Sequence, residues 1–129
     1  MATRGIRGAI TVKKNEKDAI VFATEMLLEK MISVNKVKVE DIASVIFSVT
    51  ADLTKEFPAI AAREMGWLYT PLMCTNEIAV EGSLKKCIRV MMLVNSEKPQ
   101  SQMKHIYLDE AKKLRPDLSN KQKDSYYLS

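Results

Sequence analysis

The sequence lacks most of the side chains from which enzymes build catalytic relays and metal sites. Its 129 residues include one histidine, His105, so a relay of serine, histidine and aspartate is not favoured. The two cysteines, Cys74 and Cys87, form no CxxC pair, and no Cys/His cluster with zinc-ligand spacing is present. A glycine-rich phosphate loop is also missing from the sequence. We therefore predict no metal and no cofactor.

Long apolar runs are missing as well. The longest of them falls far short of a membrane span, and the opening MATRGIRGAITV carries charge without a signal-type apolar core after it. Two cysteines without a secretion signal favour reduced thiols. We therefore expect a soluble, cytoplasmic protein with no membrane partner.

Charge of one sign is only slightly in excess. Lys and Arg number 20 against 16 Asp and Glu, which gives a formal net charge of +4. Nucleic-acid binders typically show basic clusters with interleaved aromatic residues, whereas here the charges are mixed in sign and aromatic residues make up 6% of the chain. A basic RNA-binding module, whose binding would fall steeply with added salt, is therefore disfavoured. The composition suits a small anionic ligand better, and no nucleic-acid partner is predicted.

The length predicts one domain, which we assign to residues 1–118, followed by a polar and mobile tail over residues 119–129. The first half of the chain alternates strand and helix patterns. These are a strand over Arg4–Val12 in which Arg7 points away from Ile6 and Ile10, a long helix over Glu16–Ser33 with Asn15 as its N-cap, a strand over Ala43–Thr50, and a short helix from Pro58 to Gly66.

The second half of the chain adds two further predicted strands. A third strand over Leu68–Cys74 and a strand around Arg89 are expected to form a hairpin, with a turn at Glu81–Ser83 between them. Pro99 can open a short helix, and His105–Leu114 fits a helix or a strand about equally well. Because one long helix can cover only one face of a sheet, the other apolar face suggests oligomerisation.

Arg89 interrupts an otherwise apolar strand within the segment SLKKCIRVMMLV. Alternation places Arg89 on one face with Cys87 and Met91, and Ile88 and Val90 on the other. A guanidinium keeps its charge at any ordinary pH, so a buried one needs an anion that satisfies its planar fork of donors. That anion is either a carboxylate of this protein or part of a ligand, and Arg89 alone does not decide between them.

Several segments, taken in order, resemble the monofunctional AroH-type chorismate mutases. They are RGIRGA, the FPA segment followed by Arg63, GWLYTPLMC, LKKCIRVMMLV, and HIYL followed by LRPDL. The resemblance implies an α+β fold in which a mixed β-sheet packs against one long helix plus short helices. It also implies that three subunits close into a trimeric pseudo-α/β-barrel with an active site at each subunit interface.

The same resemblance implies an activity. The substrate is expected to be chorismate, which a Claisen rearrangement converts to prephenate in the biosynthesis of aromatic amino acids (Phe and Tyr). The family works by electrostatic stabilisation and conformational restriction, without covalent catalysis and without a cofactor. The chain departs from the family pattern at Ile60, where members often carry a lysine, so part of the positive rim of the site is missing.

Roles for individual residues also follow from the resemblance. Arg89 corresponds to the arginine that faces the breaking ether bond, and Arg7 to the one that holds the enolpyruvyl carboxylate with help from Tyr107. Glu77 is similar to the glutamate that accepts a hydrogen bond from the ring hydroxyl, so Arg7, Glu77 and Arg89 are the catalytic candidates. The other substrate-binding candidates are Cys74 beside the ring, Phe57, Ala59, Met73 and Leu114 as apolar walls, and Arg63 and Arg115 at the mouth.

An alternative function remains open from the residues alone. A trimeric protein of the RidA type, which binds small acids or deaminates enamines and imines, has a similar architecture and also places arginine near subunit interfaces. The joint presence of Arg7, Glu77, Arg89 and Tyr107 in chorismate-mutase order is the feature that this alternative does not need. Taken singly, each residue has an ordinary explanation, such as an internal ion pair for Arg89 or a surface turn for Glu77.

Overall fold

The computed structural model describes residues 1–115, so the predicted domain boundary at residue 118 and the tail lie outside the described residues. The fold is a mixed sheet with one long helix and short helices, which confirms the predicted α+β class. The strands are β1 (Ala2–Thr11), β2 (Ile42–Val49), β3 (Leu72–Asn76), β4 (Cys87–Ser96) and β5 (Ile106–Leu108). The helices are α1 (Lys17–Asn35) and α2 (Ala59–Glu64), with short 3-10 turns at Val39–Asp41, Gln100–Gln102 and Asp109–Leu114.

The five strands lie in the order β3-β2-β4-β1-β5. Strand β4 is central and runs antiparallel to both of its neighbours, whereas β3 and β5 are edge strands that pair in parallel with β2 and β1. The predicted hairpin between the third strand and the Arg89 strand is therefore wrong, because β2 lies between them. The segment between β3 and β4 carries the predicted turn, where Ser83 N–H donates to the Val80 carbonyl at 3.1 Å and Gly82 has a φ of +81°.

Helix α1 covers one face of the sheet and builds the main core with it. Alternate residues of β1 and β4, including Ile6, Ile10 and Met92, are at most 1% exposed on this face, and Leu27 of α1 is fully buried. Gly8 lies where the helix approaches the sheet most closely, since a Cβ there would stand 2.6 Å from the sulfur of Met31. We call this face, which contains Ile6, Gly8, Ile10, Val90 and Met92, the covered face.

The start of α1 differs from the prediction. Glu16 is the N-cap residue, and no side chain caps the first turn. Asn15, the predicted cap, instead accepts hydrogen bonds from the backbone N–H groups of Thr54 (2.9 Å) and Lys55 (3.3 Å) and donates to the Thr54 hydroxyl (2.9 Å). Asparagine favours both roles because its short amide side chain reaches nearby or distant backbone groups equally well. Asn15 therefore fastens the loop before α2 rather than the helix.

The third strand begins four residues later than predicted. Leu68 and Tyr69 are 70% and 92% exposed in a loop, and β3 starts at Leu72. Pro71 explains the boundary, because its carbonyl accepts from Val45 N–H at 3.0 Å while its nitrogen has no hydrogen to donate to a ladder. The apolar residues at 68 and 69 imitate a strand in the sequence, but the chain pairs with β2 only beyond the proline.

The ambiguous segment from His105 to Leu114 contains both kinds of structure. Ile106–Leu108 forms the short strand β5, and a 3-10 turn follows over Asp109–Leu114. The change occurs at Asp109, whose φ of +55° lies in the left-handed region that non-glycine residues seldom adopt. Helix and strand patterns were thus both present, one after the other.

Among the described elements no α-helix lies on the second face of the sheet, which we call the open face. The 3-10 turn Asp109–Leu114 packs on it at the β1–β5 end, through Ala111 and Leu114. Three apolar side chains on neighbouring strands lie there partly in solvent: Ile46 (40% exposed), Met73 (60%) and Met91 (37%). These three side chains form an apolar area that the described elements of one chain leave in contact with solvent. In the described part of the chain, no helix combines the length and apolar character needed to cross a membrane.

Candidate active site

The candidate residues on the open face form a row that crosses the sheet. Ala9 of β1 lies between Tyr107 of the parallel edge strand and Arg89 of the antiparallel central strand. Ser48 and Thr75 continue the same row on β2 and β3. Because directly paired residues point to the same side of a sheet, Tyr107 and Arg89 flank the small side chain of Ala9. The row therefore places the small, fully buried side chain of Ala9 between an aromatic and a cationic side chain.

Arg7 lies on the same face one step along β1. It pairs with Met91, two residues beyond Arg89 on the central strand, so Arg7 and Arg89 are diagonal neighbours whose Cβ atoms are about 7–8 Å apart by sheet geometry. The prediction that Arg7 points away from Ile6 and Ile10 is confirmed by the burial of those two residues against α1. The side chains of Arg7 and Arg89 therefore leave the sheet on the same face, from adjacent strands.

Glu77 follows β3 directly and contacts Arg89. One guanidinium nitrogen of Arg89 lies 3.4 Å from a carboxylate oxygen of Glu77, and the two side chains are 39% and 25% exposed. In the single chain Arg89 is therefore only partly buried, with a carboxylate of this protein in contact with it. A long contact between partly solvated groups is a weak ion pair. The contact orients Arg89 while using one of its five N–H donors.

Tyr107 belongs to a small second core on the open face, at the β1–β5 end of the sheet. Ala9, Cys87, Tyr107 and Ala111 are buried together, and Leu84 and Leu114 pack against them. Burial raises the pKa of the Cys87 thiol to about 11, although the charge of Arg89 acts in the opposite direction. A thiol with so high a pKa stays protonated and unreactive at neutral pH. Cys87 therefore serves as packing, and Leu114 is placed beside the tyrosine.

A second group of candidates lies elsewhere in the chain. Phe57 is 66% exposed at the start of α2, and with Cys74 it lines a cavity of about 420 Å³ whose other walls include Leu53, Pro58 and Thr75. Cys74 pairs with the fully buried Phe47 and so points to the covered side of β3, opposite to Arg89. Burial raises the pKa of the Cys74 thiol, and a hydrogen bond with the Ala59 backbone lowers it by less.

Within one chain the structure therefore separates the candidates into two groups. The first, which we call the arginine group, contains Arg7, Glu77, Arg89, Tyr107 and Leu114. The second, which we call the wall group, contains Phe57, Ala59 and Cys74. Met73 lies between them, on the open face of edge strand β3.

The two outer arginines lie in different surroundings. Arg63 donates to the carbonyls of Trp67 (2.6 Å) and Leu68 (3.2 Å), and so ties down the loop that follows α2. Burial lowers the pKa of His105, and the charges of Arg7 and then Arg115 lower it further, so Arg115 is close enough to act on that ring.

Two polar contacts around the arginine group were not predicted. His105 accepts a hydrogen bond from the backbone of Arg7, and Asp52 accepts the Lys86 N–H with both carboxylate oxygens at 3.0 and 3.1 Å. Asp52 also accepts from the Thr50 hydroxyl at 2.5 Å, which in turn accepts from Cys87 N–H. The Thr-Ala-Asp sequence at the end of β2 is typical of side chains that bond nearby backbone, and could have indicated this second contact.

Neither group resembles a metal centre. Over residues 1–115, no three side chains of the His, Cys, Asp and Glu types come together as ligands for an ion. The arrangement brings two cations, one carboxylate and a buried tyrosine to one face of the sheet. Such a set can bind a small dianion and stabilise negative charge that develops on it.

Comparisons with known proteins agree with this chemistry. The family model of chorismate mutase type I matches residues 3–118. Chorismate mutase AroH of Bacillus subtilis (strain 168) is 50% identical over 120 residues, which are 92% of this chain and 94% of the relative. Chorismate mutase AroH of Thermus thermophilus is also 50% identical over 120 residues, covering 92% and 98% of the two chains.

A solved structure gives the same result for the fold. The chorismate mutase from Clostridium thermocellum superimposes with a TM-score of 0.83 at 56% identity, over 84% of this chain and 96% of that one. These comparisons do not support the RidA-type alternative and confirm the resemblance on which the prediction was based. The chain belongs to the chorismate mutase type I family.

Proposed function

We propose that this protein is a chorismate mutase, an isomerase that converts chorismate to prephenate for the biosynthesis of phenylalanine and tyrosine. The observation that supports it most directly is the pair of Arg7 and Arg89 on one face of adjacent strands, with Tyr107 and Glu77 beside them. Family membership gives the reaction, and this pair gives the dianionic substrate its counter-charges. With two free thiols, the protein fits the reducing cytoplasm.

The reaction itself asks little of the protein. In the rearrangement one carbon–oxygen bond breaks and one carbon–carbon bond forms within the same molecule, so no group leaves and no proton changes place. Because the carbon–oxygen bond breaks ahead of carbon–carbon bond formation, negative charge grows on the ether oxygen and the enolpyruvyl fragment. A cation fixed beside that oxygen binds the transition state more tightly than the ground state, which is what accelerates the step. Arg89 supplies this cation.

Arg7 and Tyr107 hold the substrate in a reactive shape. Arg7 forms an ion pair with the enolpyruvyl carboxylate, and the hydroxyl of Tyr107 donates a second bond to the same group. Arg115, whose charge acts on His105 together with that of Arg7, meets the ring carboxylate, as does Arg63 from the mouth. Holding both ends of the ether in a folded conformation removes the entropy cost of reaching it in the transition state. These residues therefore act on binding and on shape together.

Glu77 has two roles in this scheme. Without substrate it contacts Arg89 at 3.4 Å and so limits the positions open to the guanidinium. With substrate it accepts the hydrogen bond of the ring hydroxyl, with Cys74 beside it, and so fixes which face of the ring meets the enolpyruvyl group. Because the ion pair is weak and both groups are partly solvated beforehand, replacing it by the hydrogen bond to the ring hydroxyl costs little free energy.

We further propose that the protein is a C3 homotrimer closed as a pseudo-barrel, with each site completed by two subunits. The open face carries Ile46, Met73 and Met91 in solvent, which supports its burial against another copy. The wall group and the arginine group lie on opposite faces of one chain, so the proposal is that they meet across the interface. In this arrangement Phe57, Ala59, Met73 and Leu114 become apolar walls around the ring.

The direct test is to mix purified protein with chorismate and follow the loss of its ultraviolet absorbance together with the formation of prephenate. We expect turnover that does not depend on added metal or cofactor. Absence of turnover by a folded preparation would remove the proposed activity, whatever the oligomeric state.

The shared site is tested by mixing inactive chains. Subunits with Arg89→Ala and subunits with Phe57→Asp, exchanged in equal amounts, should regain about a quarter of the wild-type sites, because one interface in four combines the two intact halves. Subunits with Arg7→Ala and with Arg89→Ala serve as the control. Those two residues lie on adjacent strands of one chain, so that mixture should recover no activity. Equal recovery in both mixtures would contradict the division into two groups.

A further inference from the structure

The hydrogen-bond ladder between β1 and β5 ends one residue short of Arg7. Its first pair is Gly8 with Ile106, and β5 does not continue before Ile106. At this point the backbone N–H of Arg7 donates instead to a side chain, the Nδ1 atom of His105, at 2.9 Å. A ring nitrogen therefore replaces the carbonyl that a longer edge strand would present. The backbone from which the Arg7 side chain begins is held at this edge by His105.

The imidazole must be neutral to make this contact. Since Nδ1 accepts the Arg7 N–H, the ring proton is on Nε2. Burial lowers the pKa of His105, and the positive charges of Arg7 and Arg115 lower it further, so the ring stays neutral at neutral pH. The acceptor is thus available under the conditions in which the protein works.

The residue before His105 is anchored to α1, on the covered side of the sheet. Asn35, at the end of α1 and 5% exposed, accepts the Lys104 N–H at 2.8 Å and donates to the Lys104 carbonyl at 3.0 Å. The same amide group of Asn35 also donates to the Met31 carbonyl at 2.8 Å. The residue before His105 is therefore clamped through both of its backbone groups to the long helix. Hydrogen bonds from α1 through Asn35 thus hold the backbone of Lys104, and His105, the next residue in the chain, makes the contact with Arg7.

We propose that His105 is a positioning residue that fixes the backbone of Arg7, so that the arginine is already in place for a carboxylate of the substrate. The inference rests on the proposed function, in which Arg7 binds that carboxylate. Arginine has a long side chain, and a small rotation of its backbone displaces the guanidinium by much more than the backbone itself moves. A side chain locked by a supporting hydrogen bond loses less free energy on binding than one that must be ordered by the ligand.

The test compares two substitutions that differ in where they place an acceptor. In His105→Asn the amide oxygen is as many bonds from the backbone as Nδ1, whereas in His105→Gln the amide reaches the position of Nε2. We expect His105→Gln to raise KM for chorismate roughly three- to tenfold, the worth of one lost hydrogen bond, with a smaller change in kcat. The split arises because the carboxylate held by Arg7 is charged in both the ground state and the transition state.

His105→Asn should stay within about twofold of the wild type in KM, because it restores the acceptor. Gln102→Ala, an exposed change three residues upstream, is the matched control and should alter neither constant. If His105→Gln does not assemble, His105→Ala carries the same comparison with His105→Asn. The proposal is overturned if His105→Asn is as impaired as His105→Gln, or if neither differs from the wild type.

Two further measurements separate positioning from a general structural role. In an Arg7→Ala background, His105→Gln should raise KM no further, because its effect passes through Arg7. Without any substrate, hydrogen exchange at the Arg7 amide should be slow in the wild type and in His105→Asn and faster in His105→Gln. The exchange result decides whether the contact exists even if the wild type does not turn over chorismate, so failure of this inference and failure of the proposed function give different results.

Discussion

The two faces of the sheet are completed in different ways, as two adjacent methionines on β4 show. Met92 lies on the covered face, fully buried with α1, whereas Met91 lies on the open face and is 37% exposed. Because the two side chains are identical and adjacent in sequence, the difference in their exposure comes from the face on which each one lies. The covered face is finished by the chain's own helix. The open face carries the arginine group and, in our proposal, is finished by another subunit and by the substrate.

The largest expected effect comes from making the open face unable to pack. Ile46→Asp places a carboxylate in the middle of the apolar patch, and burying an unpaired charge costs several kcal/mol per ion, which should abolish the trimer. Light scattering at micromolar concentration should then give the monomer mass. Phe22→Asp, at a residue of α1 that is 63% exposed, is the control and should leave the trimer mass unchanged. A trimer that persists in Ile46→Asp would place the interface elsewhere.

The next effect concerns the charge of Arg89. Replacing it with citrulline keeps the planar shape and most donors but removes the positive charge, so turnover should fall about a hundredfold to a thousandfold while substrate binding survives better. Arg89→Lys should also be poor, because a point charge on a flexible stem does not reproduce the planar fork. Single-turnover kinetics on a protein of verified trimer mass measures both. Near-normal turnover of the citrulline protein would show that Arg89 is a structural partner of Glu77.

The packing of α1 on the covered face is tested at Gly8, with Gly5, on the opposite face of the same strand, as the control. Gly8→Ala would place a Cβ 2.6 Å from the Met31 sulfur and 3.3 Å from the Ile106 carbonyl, so we expect a loss of about 1–3 kcal/mol in the free energy of unfolding from overpacking. Gly5→Ala meets nothing closer than 3.6 Å and should be tolerated. Denaturant unfolding at equal protein concentration checks the difference. Equal midpoints for the two variants would mean that α1 can move away from the sheet.

The smallest effect is a dependence of stability on pH. Because the pKa of His105 is lowered on folding from its usual 6.5, the unfolded chain takes up the proton first as the pH falls. The stabilisation is therefore fully present above about pH 6.5 and is lost as the pH drops towards the lowered folded pKa, by at most about 1.4 kcal/mol per pH unit. His105→Asn lacks this titration. Below about pH 6.5 the unfolding free energy of the wild type should therefore fall relative to that of the variant, and a constant difference would contradict the lowered pKa of the ring.

Much of the fold could be predicted because alternation and helical spacing are strong along β1, α1 and β4. The order of the strands could not, since a local pattern contains no information on which strand lies beside which, and the expected hairpin was wrong for that reason. Leu68 and Tyr69 misled in a similar way, because a loop with two exposed apolar residues has the composition of a strand end. The identity of the family was confirmed, as several short motifs in fixed order carry far more information than any one of them.

The candidate site was harder to predict than the fold. That Arg7 and Arg89 share a face follows from alternation together with the antiparallel pairing of β1 and β4, and only the first of these is visible in the sequence. The contact of His105 with the Arg7 backbone spans 98 positions, and no spacing rule reveals it. The roles assigned to the site residues remain predictions, to be decided by the variants above.

The central position of β4 determines which strands of the sheet can open locally. Arg89 lies on a strand that is hydrogen-bonded along both edges, whereas β3 and β5 are bonded along one edge each. Edge strands open in small local fluctuations, but a central strand is released only when most of the sheet comes apart. We therefore expect local opening to begin at β3 and β5, while the strand that carries Arg89 stays paired on both sides. The charge of Arg89 thus lies on a strand paired along both edges, and the strands that open first are those at the edges of the sheet.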